Sequence, residues 1–185
     1  AKNTYGKPER KVALKPYMDE ICRAKYYSSC EGDDYWIYNF KLQDQVKFLE
    51  KKPEYTMHYT RAKQYIQKTN KFLRRKNGKK ITSFQQLLNG PSTIPTLTTC
   101  TRVKDFKKYR LEVKPSTKNW LMKDLPRWLF LLSYSKIYFS KKTTAVYRIL
   151  EESASNTNNL EKHLDFSKSA NDIRNYFTQK HGLKE

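Results

Sequence analysis

Five consecutive apolar residues, Trp128-Leu129-Phe130-Leu131-Leu132, form the run that most constrains the fold of this chain. A run this apolar has to be buried, as helix or as strand, because exposing it would cost about 25 cal/mol per Å² of apolar surface. With 185 residues and 14% aromatic side chains, the chain is long enough to build a core around it without disulfides. The sequence therefore predicts a folded domain and excludes disordered and fibrous architectures.

The remaining patterns predict an α+β fold that is mainly helical, with a small β-hairpin or sheet element around 96–114. The clearest helix is expected over 58–77, where apolar residues recur every three or four positions opposite a basic face. Further helices are expected over 16–30, 42–52, 83–89, 143–150, 160–166 and 169–181. The run at 128–132 is left open as helix or strand.

Positive charge is concentrated in the middle of the chain. The chain has 38 basic and 18 acidic residues, a formal net charge of +20 at pH 7. Residues 53–148 hold 22 of the basic and 4 of the acidic side chains, and no carboxylate lies between Glu54 and Asp105. A codon bias toward Lys would add Lys everywhere but would not remove carboxylates from one stretch. The distribution therefore indicates a surface that binds a polyanion.

Two basic segments are the candidate nucleic-acid-binding elements. A cationic stripe on helix 58–77 can follow phosphates, each contact releasing counterions. On a hairpin over 102–114, basic residues alternate with aromatic residues that can stack on bases. The predicted phosphate contacts are Arg61, Lys63, Lys68, Lys71, Arg74, Arg75, Lys79 and Lys80 on the helix, and Arg102, Lys104, Lys107, Lys108 and Arg110 on the hairpin.

The expected function is therefore that of a nucleic-acid-binding domain. DNA is slightly favoured over RNA because long basic helices suit a groove, although the many Tyr residues would equally suit unpaired RNA bases. We expect 1–148 to form the basic domain, with a helical N-terminal part, and 149–185 to form a helical pair packed on it in one compact unit. Such a role places the protein in the nucleus or the cytoplasm, with the nucleus slightly favoured.

The C-terminal segment is a further candidate for base recognition. Asn171, Arg174 and Asn175 share one face of helix 169–181 and have the donors and acceptors that read base edges. The last 37 residues, however, carry a net charge of −1, which favours a helix docked on the core.

A small basic nuclease is the alternative function, and whether the chain is an enzyme stays open, with binding favoured. Glu112-Val113-Lys114 ends a predicted strand and resembles the second half of the PD-(D/E)xK nuclease motif, in which carboxylates hold Mg²⁺ and the Lys supports the attacking water. A metal-independent ribonuclease would instead combine His58, His163 or His181 with a carboxylate and a cation.

The sequence predicts no metal centre, no cofactor and no membrane span. Cys22, Cys30 and Cys100 lack a CxxC spacing, and free thiols are typical of a reducing compartment. Gly32-Asp33-Asp34 is interpreted as a turn. No apolar run reaches the roughly 18 residues of a membrane helix, and a membrane surface is the least favoured partner. The oligomeric state stays open.

Overall fold

A computed structural model describes residues 23–150 and 160–182 of the chain. The strands are β1 (Tyr26–Tyr27), β2 (Tyr35–Trp36), β3 (Tyr55–Ile66), β4 (Lys71–Phe72), β5 (Cys100–Arg102) and β6 (Lys136–Ile149). The helices of these ranges are α1 (Lys41–Lys51), α2 (Phe84–Asn89), α3 (Val103–Val113), α4 (Leu125–Tyr134) and α5 (Leu160–Lys180). Two short 3-10 helices cover Thr96–Thr98 and Pro115–Thr117.

The six strands form one sheet whose order is β1-β5-β3-β6-β2, with β4 paired to the end of β3. The two long strands β3 and β6 run parallel, from Tyr55 opposite Lys136 to Ile66 opposite Ile149. Parallel strands need a long crossover, and this one contains α2, α3 and α4. The other strand pairs are antiparallel, and β2 is the edge strand beside β6.

Helices pack on both faces of the sheet. On one face, Met57 and Tyr59 of β3 belong to the main core together with Trp128 and Leu129 of α4 and Phe177 of α5. Trp128, Leu129, Phe130 and Leu131 are each at most 2% exposed, so the prediction that this run is buried is confirmed. On the other face lies α1, whose Phe48 ring is 5.1 Å from the imidazole of His58.

The prediction of a mainly helical fold is wrong, because a six-stranded sheet is the central element, although the α+β class itself is correct. The segment expected as helix 58–77 forms most of β3, a turn and β4. Residues 56–60 are buried on both faces of the sheet, so their apolar pattern does not alternate as a half-exposed strand would. Their Thr, Tyr and Met side chains fit a pleated sheet better than a helix.

Other secondary-structure predictions also change. The prediction of a basic hairpin over 102–114 is wrong, because residues 103–113 form helix α3, which only the short strand β5 precedes. The helix expected over 143–150 is the end of β6, and the helices 160–166 and 169–181 are one continuous α5. The helices over 42–52 and 83–89 are confirmed, within a residue, by α1 and α2. Residues 16–22 of the helix predicted over 16–30 lie outside the described residues, and the rest of that prediction is wrong, because residues 23–30 contain the strand Tyr26–Tyr27 and no helix.

None of the described helices is both long and apolar enough to cross a bilayer.

We expect Tyr59→Phe to lower the free energy of unfolding by about 1–3 kcal/mol. The buried Tyr59 hydroxyl donates to the carbonyl of Lys79 at 2.8 Å and accepts from the amide of Ile81 at 2.8 Å, so its loss leaves both buried groups unpaired. Tyr65→Phe is the control, because its hydroxyl bonds to Asn70 in an exposed position, and it should change stability by less than about 0.5 kcal/mol. Urea unfolding of both variants measures the difference, and equal midpoints would contradict this account.

Candidate functional site

The first predicted set of phosphate contacts does not lie on one helix face. It follows β3, the turn after it, β4 and the loop that leads to α2. Arg61 is half buried, with its guanidinium carbon 5.6 Å from the centre of the Phe139 ring. The others are exposed: Lys63, Lys68, Lys71, Arg74, Arg75, Lys79 and Lys80.

The second predicted set divides between a structural residue and an exposed helix. Arg102 is 7% exposed, and its guanidinium donates to the carbonyls of Tyr55 and Leu49 and to the hydroxyl of Tyr26. Arg102 therefore connects β5 to β3, α1 and β1. Its guanidinium hydrogen bonds are made within the protein rather than to a phosphate. Lys104, Lys107, Lys108 and Arg110 are exposed on α3, where Lys108 also lies 3.8 Å from Glu112.

The structure does not assemble the other predicted groups. Glu112 and Lys114 lie at the end of a helix, whereas the nuclease motif needs them on a strand. His58 is buried under α1, while His163 and His181 belong to or follow α5, which packs on the opposite face of the sheet. Arg174 donates to the carbonyls of Leu88 and Gly90 at 2.8 and 3.1 Å, so it ties α5 to α2 and is not free to read a base.

Three adjoining clefts bring basic side chains from distant segments into one row. The first, of about 370 Å³, is lined by Arg23, Lys25, Arg102, Lys104 and Lys107. Lys104 also lines the second, of about 680 Å³, together with Lys136, Glu54 and Asp105. Lys136 in turn lines the third, of about 600 Å³, together with Lys80 and Lys141. We call this row the cationic track; Lys104 and Lys136 connect its clefts.

An acidic turn lies between β1 and β2. Carboxylate oxygens of Glu31, Asp33 and Asp34 all lie within 4.8 Å of one another, which suits the ligand set of a metal ion. The amide of Asp34 donates to the carbonyl of Glu31 at 3.0 Å and closes the turn. Arg148 near the end of β6 holds it from the side, since its amide donates to Asp34 Oδ1 at 2.8 Å and its guanidinium to the Asp33 carbonyl.

The start of α4 carries two further charged residues that interact with this turn. The side chain of Asp124 caps α4 by accepting from the amide of Leu125 at 2.8 Å. Burial raises the pKa of Glu31, the charges of Asp33 and Asp124 raise it further, and Arg127 opposes them. Arg127 is 9% exposed, and its Nε has no hydrogen-bond partner among the described residues. The guanidinium carbon of Arg127 lies 4.6 and 5.5 Å from the ring centres of Trp128 and Phe106, so its positive charge is held at the start of α4, where it acts on Glu31.

The carboxyl group of Asp34 is the most strongly perturbed member of the turn. Burial, assisted by the charges of Asp33 and Glu31, raises its pKa from 3.8 to about 6, while the hydrogen bond from the Arg148 amide opposes the shift. Its Oδ2 is buried and, among the residues that the structure describes, has no hydrogen-bond partner. A cation bound between these carboxylates would reduce their mutual repulsion and would give Asp34 Oδ2 a partner.

The sequence analysis interpreted Gly32-Asp33-Asp34 only as a turn and did not consider it as a candidate metal site. The turn could have been noticed in the sequence, because three carboxylates, Glu31, Asp33 and Asp34, occur within a segment of four residues, although the whole chain has a net charge of +20. The contribution of Asp124 and Arg127 had no sequence signal, because they are about 90 residues away and meet the turn only through the fold.

Comparisons with known proteins do not assign a family. No family model matches the chain. One segment of 35 residues is 51% identical to uncharacterized proteins of Mycobacterium bovis and Mycobacterium tuberculosis. The segment is 19% of this chain and 10% of each relative, so the chain matches about a tenth of the length of these curated relatives.

We expect the parent protein to bind Mn²⁺ with an affinity that rises with pH through about 6 and levels off above it, because a proton and the metal compete for Asp34. Asp34→Asn should lower the affinity at least tenfold at pH 7.5, measured by isothermal titration calorimetry. Asp172→Asn, on the exposed face of α5, is the control and should bind as the parent does.

Asp34→Asn should also raise the thermal midpoint at pH 8 without metal. The folded-state pKa of Asp34 lies above its ordinary value, so ionisation costs stability as the pH rises from about 4 to about 6, and a neutral Asn avoids that cost. A variant that still binds Mn²⁺, or that is less stable than the parent at pH 8, would contradict the electrostatics of the turn.

Proposed function

We propose that this chain is part of a metal-dependent enzyme that transfers or hydrolyses a phosphate-bearing substrate. The observation that carries the proposal is the meeting of the acidic turn with Asp124 and Arg127. Carboxylates alone would suit any cation, but Arg127, whose charge acts on Glu31, adds positive charge that would favour the negative charge of a phosphate.

The division of roles follows from the chemistry of each group. Mg²⁺ and Mn²⁺ commonly bind to one or two carboxylates and complete their coordination with substrate phosphates. Glu31, Asp33 and Asp34 would hold the cation, and Arg127 would bind a phosphate oxygen and reduce its charge. Asp124 would accept the proton of the attacking hydroxyl group or water, since one carboxylate oxygen already caps α4 and orients the other.

The test uses Mn²⁺ with ADP as a simple diphosphate probe. ADP should bind at least tenfold more tightly with Mn²⁺ than without it, and Arg127→Lys should lose most of this gain while retaining Mn²⁺ affinity. Arg110→Lys, on the exposed face of α3, is the matched control. Unchanged ADP binding in Arg127→Lys, or binding that ignores Mn²⁺, would refute the proposed assignment.

Nucleic-acid binding is the second candidate function, and the cationic track is the observation that favours it. The track replaces the helix and hairpin expected from the sequence as the surface for phosphate contacts. Tyr55, Tyr138 and Phe139 line its third cleft, where aromatic rings suit unpaired bases. A chain with this role would act in the nucleus or the cytoplasm, wherever its nucleic acid is found.

If the track binds nucleic acid through about 6–10 phosphates, the parent should lose roughly 300- to 15,000-fold in affinity for a single-stranded oligonucleotide between 50 and 200 mM salt. Replacing Lys80, Lys136 and Lys141 together by Ala should lower the salt slope by about 2, since each phosphate contact contributes about 0.7 for a single strand. Replacing Lys71, Arg74 and Arg75 by Ala removes the same charge from the β4 region, and it should lower the affinity and the salt slope by less. The reverse ranking would place binding on the sequence-predicted segment, and cleavage with Mg²⁺ that Glu112→Gln abolishes would favour the nuclease alternative.

A further inference from the structure

A small polar cavity of about 100 Å³ lies between α1 and the sheet, away from the acidic turn and the cationic track. Its walls come from α1, β3 and β6 and from the residue Tyr38 that precedes α1. The lining side chains are Tyr38, Lys41, Asp44, Gln45, His58, Thr60, Ser140, Lys142 and Thr144. A cavity lined by so many polar groups is expected to hold water or a polar ligand rather than stay empty.

His58 presents unused hydrogen-bonding groups in this cavity. The residue is 5% exposed, and neither ring nitrogen has a partner in the part of the chain that the structure describes. Leaving buried donors and acceptors unpaired is costly, so a molecule in the cavity is needed to pair them. The hydroxyls of Thr60 and Thr144 lie 2.7 Å apart, and the Thr60 hydroxyl also lies 3.5 Å from the carbonyl of Arg61, so these two hydroxyls can pair with each other and with the backbone.

Lys41 gives the cavity a positive charge without a protein counter-charge. It is 1% exposed, and its ammonium donates to Ser28 Oγ at 3.0 Å and Gln45 Oε1 at 2.9 Å and lies 4.4 Å from the Trp36 ring. All of these partners are neutral, and no ion pair of Lys41 occurs within residues 23–150 and 160–182. A buried, uncompensated ammonium strongly favours a nearby anion.

The mouth of the cavity is closed by a self-contained cluster. Lys142 Nζ donates to Asp44 Oδ2 at 2.9 Å and to the Tyr38 hydroxyl at 2.7 Å, and that hydroxyl donates to Asp44 Oδ2 at 3.0 Å. The negative charge of Asp44 is therefore neutralised by Lys142 and does not compensate Lys41. The net charge of the lining groups is positive at neutral pH.

We propose that this cavity binds one small monovalent anion, with Lys41 supplying the charge and His58 supplying a hydrogen bond. The available space corresponds to about three water molecules at roughly 30 Å³ each, which fits a halide and one or two waters. The anion would join α1 to the two central strands from inside, and so stabilise the packing of α1 on the sheet.

The pH dependence of binding identifies the charge involved. Burial lowers the pKa of Lys41 to about 8, so Lys41 loses its charge between pH 7 and 9. Among the groups that act on it, burial holds the pKa of His58 at about 4, raises that of Cys100 to about 11, and raises that of Cys30 above its ordinary value. Hydrogen bonds to Tyr38 and Asp44 raise the pKa of Lys142, and hydrogen bonds from Lys142 and Tyr38 lower the pKa of Asp44. Halide affinity should therefore fall about tenfold from pH 7 to pH 9.

Bromide and chloride are the probes, and gluconate at equal ionic strength is the control for general salt effects. Halide should raise the thermal midpoint saturably and shift the ring signals of His58 in NMR spectra, while those of the exposed His181 stay unchanged. Crystals grown with bromide should show one anomalous peak in the cavity. Lys41→Met should abolish the halide response, and Lys47→Met, on the exposed face of α1, should retain it.

Equal effects of halide and gluconate, no shift of the His58 signals and no anomalous peak would overturn the proposal and leave a water-filled cavity. If Lys41→Met fails to fold, the anomalous peak and the loss of affinity at pH 9 in the parent protein still decide the question. A response confined to the exposed His residues would show surface binding only and would equally contradict it.

Discussion

The parallel pairing of β3 with β6 is the interaction on which the rest of this structure depends. The two strands are joined by the long crossover that contains α2, α3 and α4, so their pairing unites segments about 80 residues apart. Each site described above uses one part of β6. Lys136 at its start joins two clefts, Thr144 in its middle lines the buried cavity, and Arg148 near its end holds the acidic turn.

The fold, as well as the sequence, determines where the charged side chains of this protein lie. The chain has an excess of 20 positive charges, yet three of its carboxylates meet in one turn, where burial and mutual repulsion raise the pKa of Asp34. A turn kept in this unfavourable state lowers stability unless a cation binds to it. This is why we regard the turn as the candidate functional centre, and the excess of basic residues around the rest of the molecule as a secondary means of attracting phosphates.

The two charged features are compatible with one another. A phosphate-bearing substrate would be attracted by the general positive potential and then selected by the cation at the acidic turn together with Arg127. The buried cavity differs from both, because its charge is enclosed and its effect would be on the packing of α1. The molecule therefore contains three different electrostatic environments. Like charges repel one another around Asp34, Lys136 belongs to an open cationic surface, and Lys41 is a buried charge without a counter-charge.

The sequence by itself determined that the run at 128–131 is buried, that α1 and α2 are helices, and that positive charge is concentrated in residues 53–148. These features are local: a helix with one apolar face and a cap, such as Ser83 before α2, can be recognised from neighbouring residues. The tertiary structure alone decided that residues 58–66 are strand, because the burial of residues 56–60 on both faces of the sheet removes the alternation that identifies a strand. It also decided that Arg102 binds carbonyls instead of phosphates, and that the charges of Asp124 and Arg127 act on the acidic turn, because these interactions join segments that are distant in the sequence.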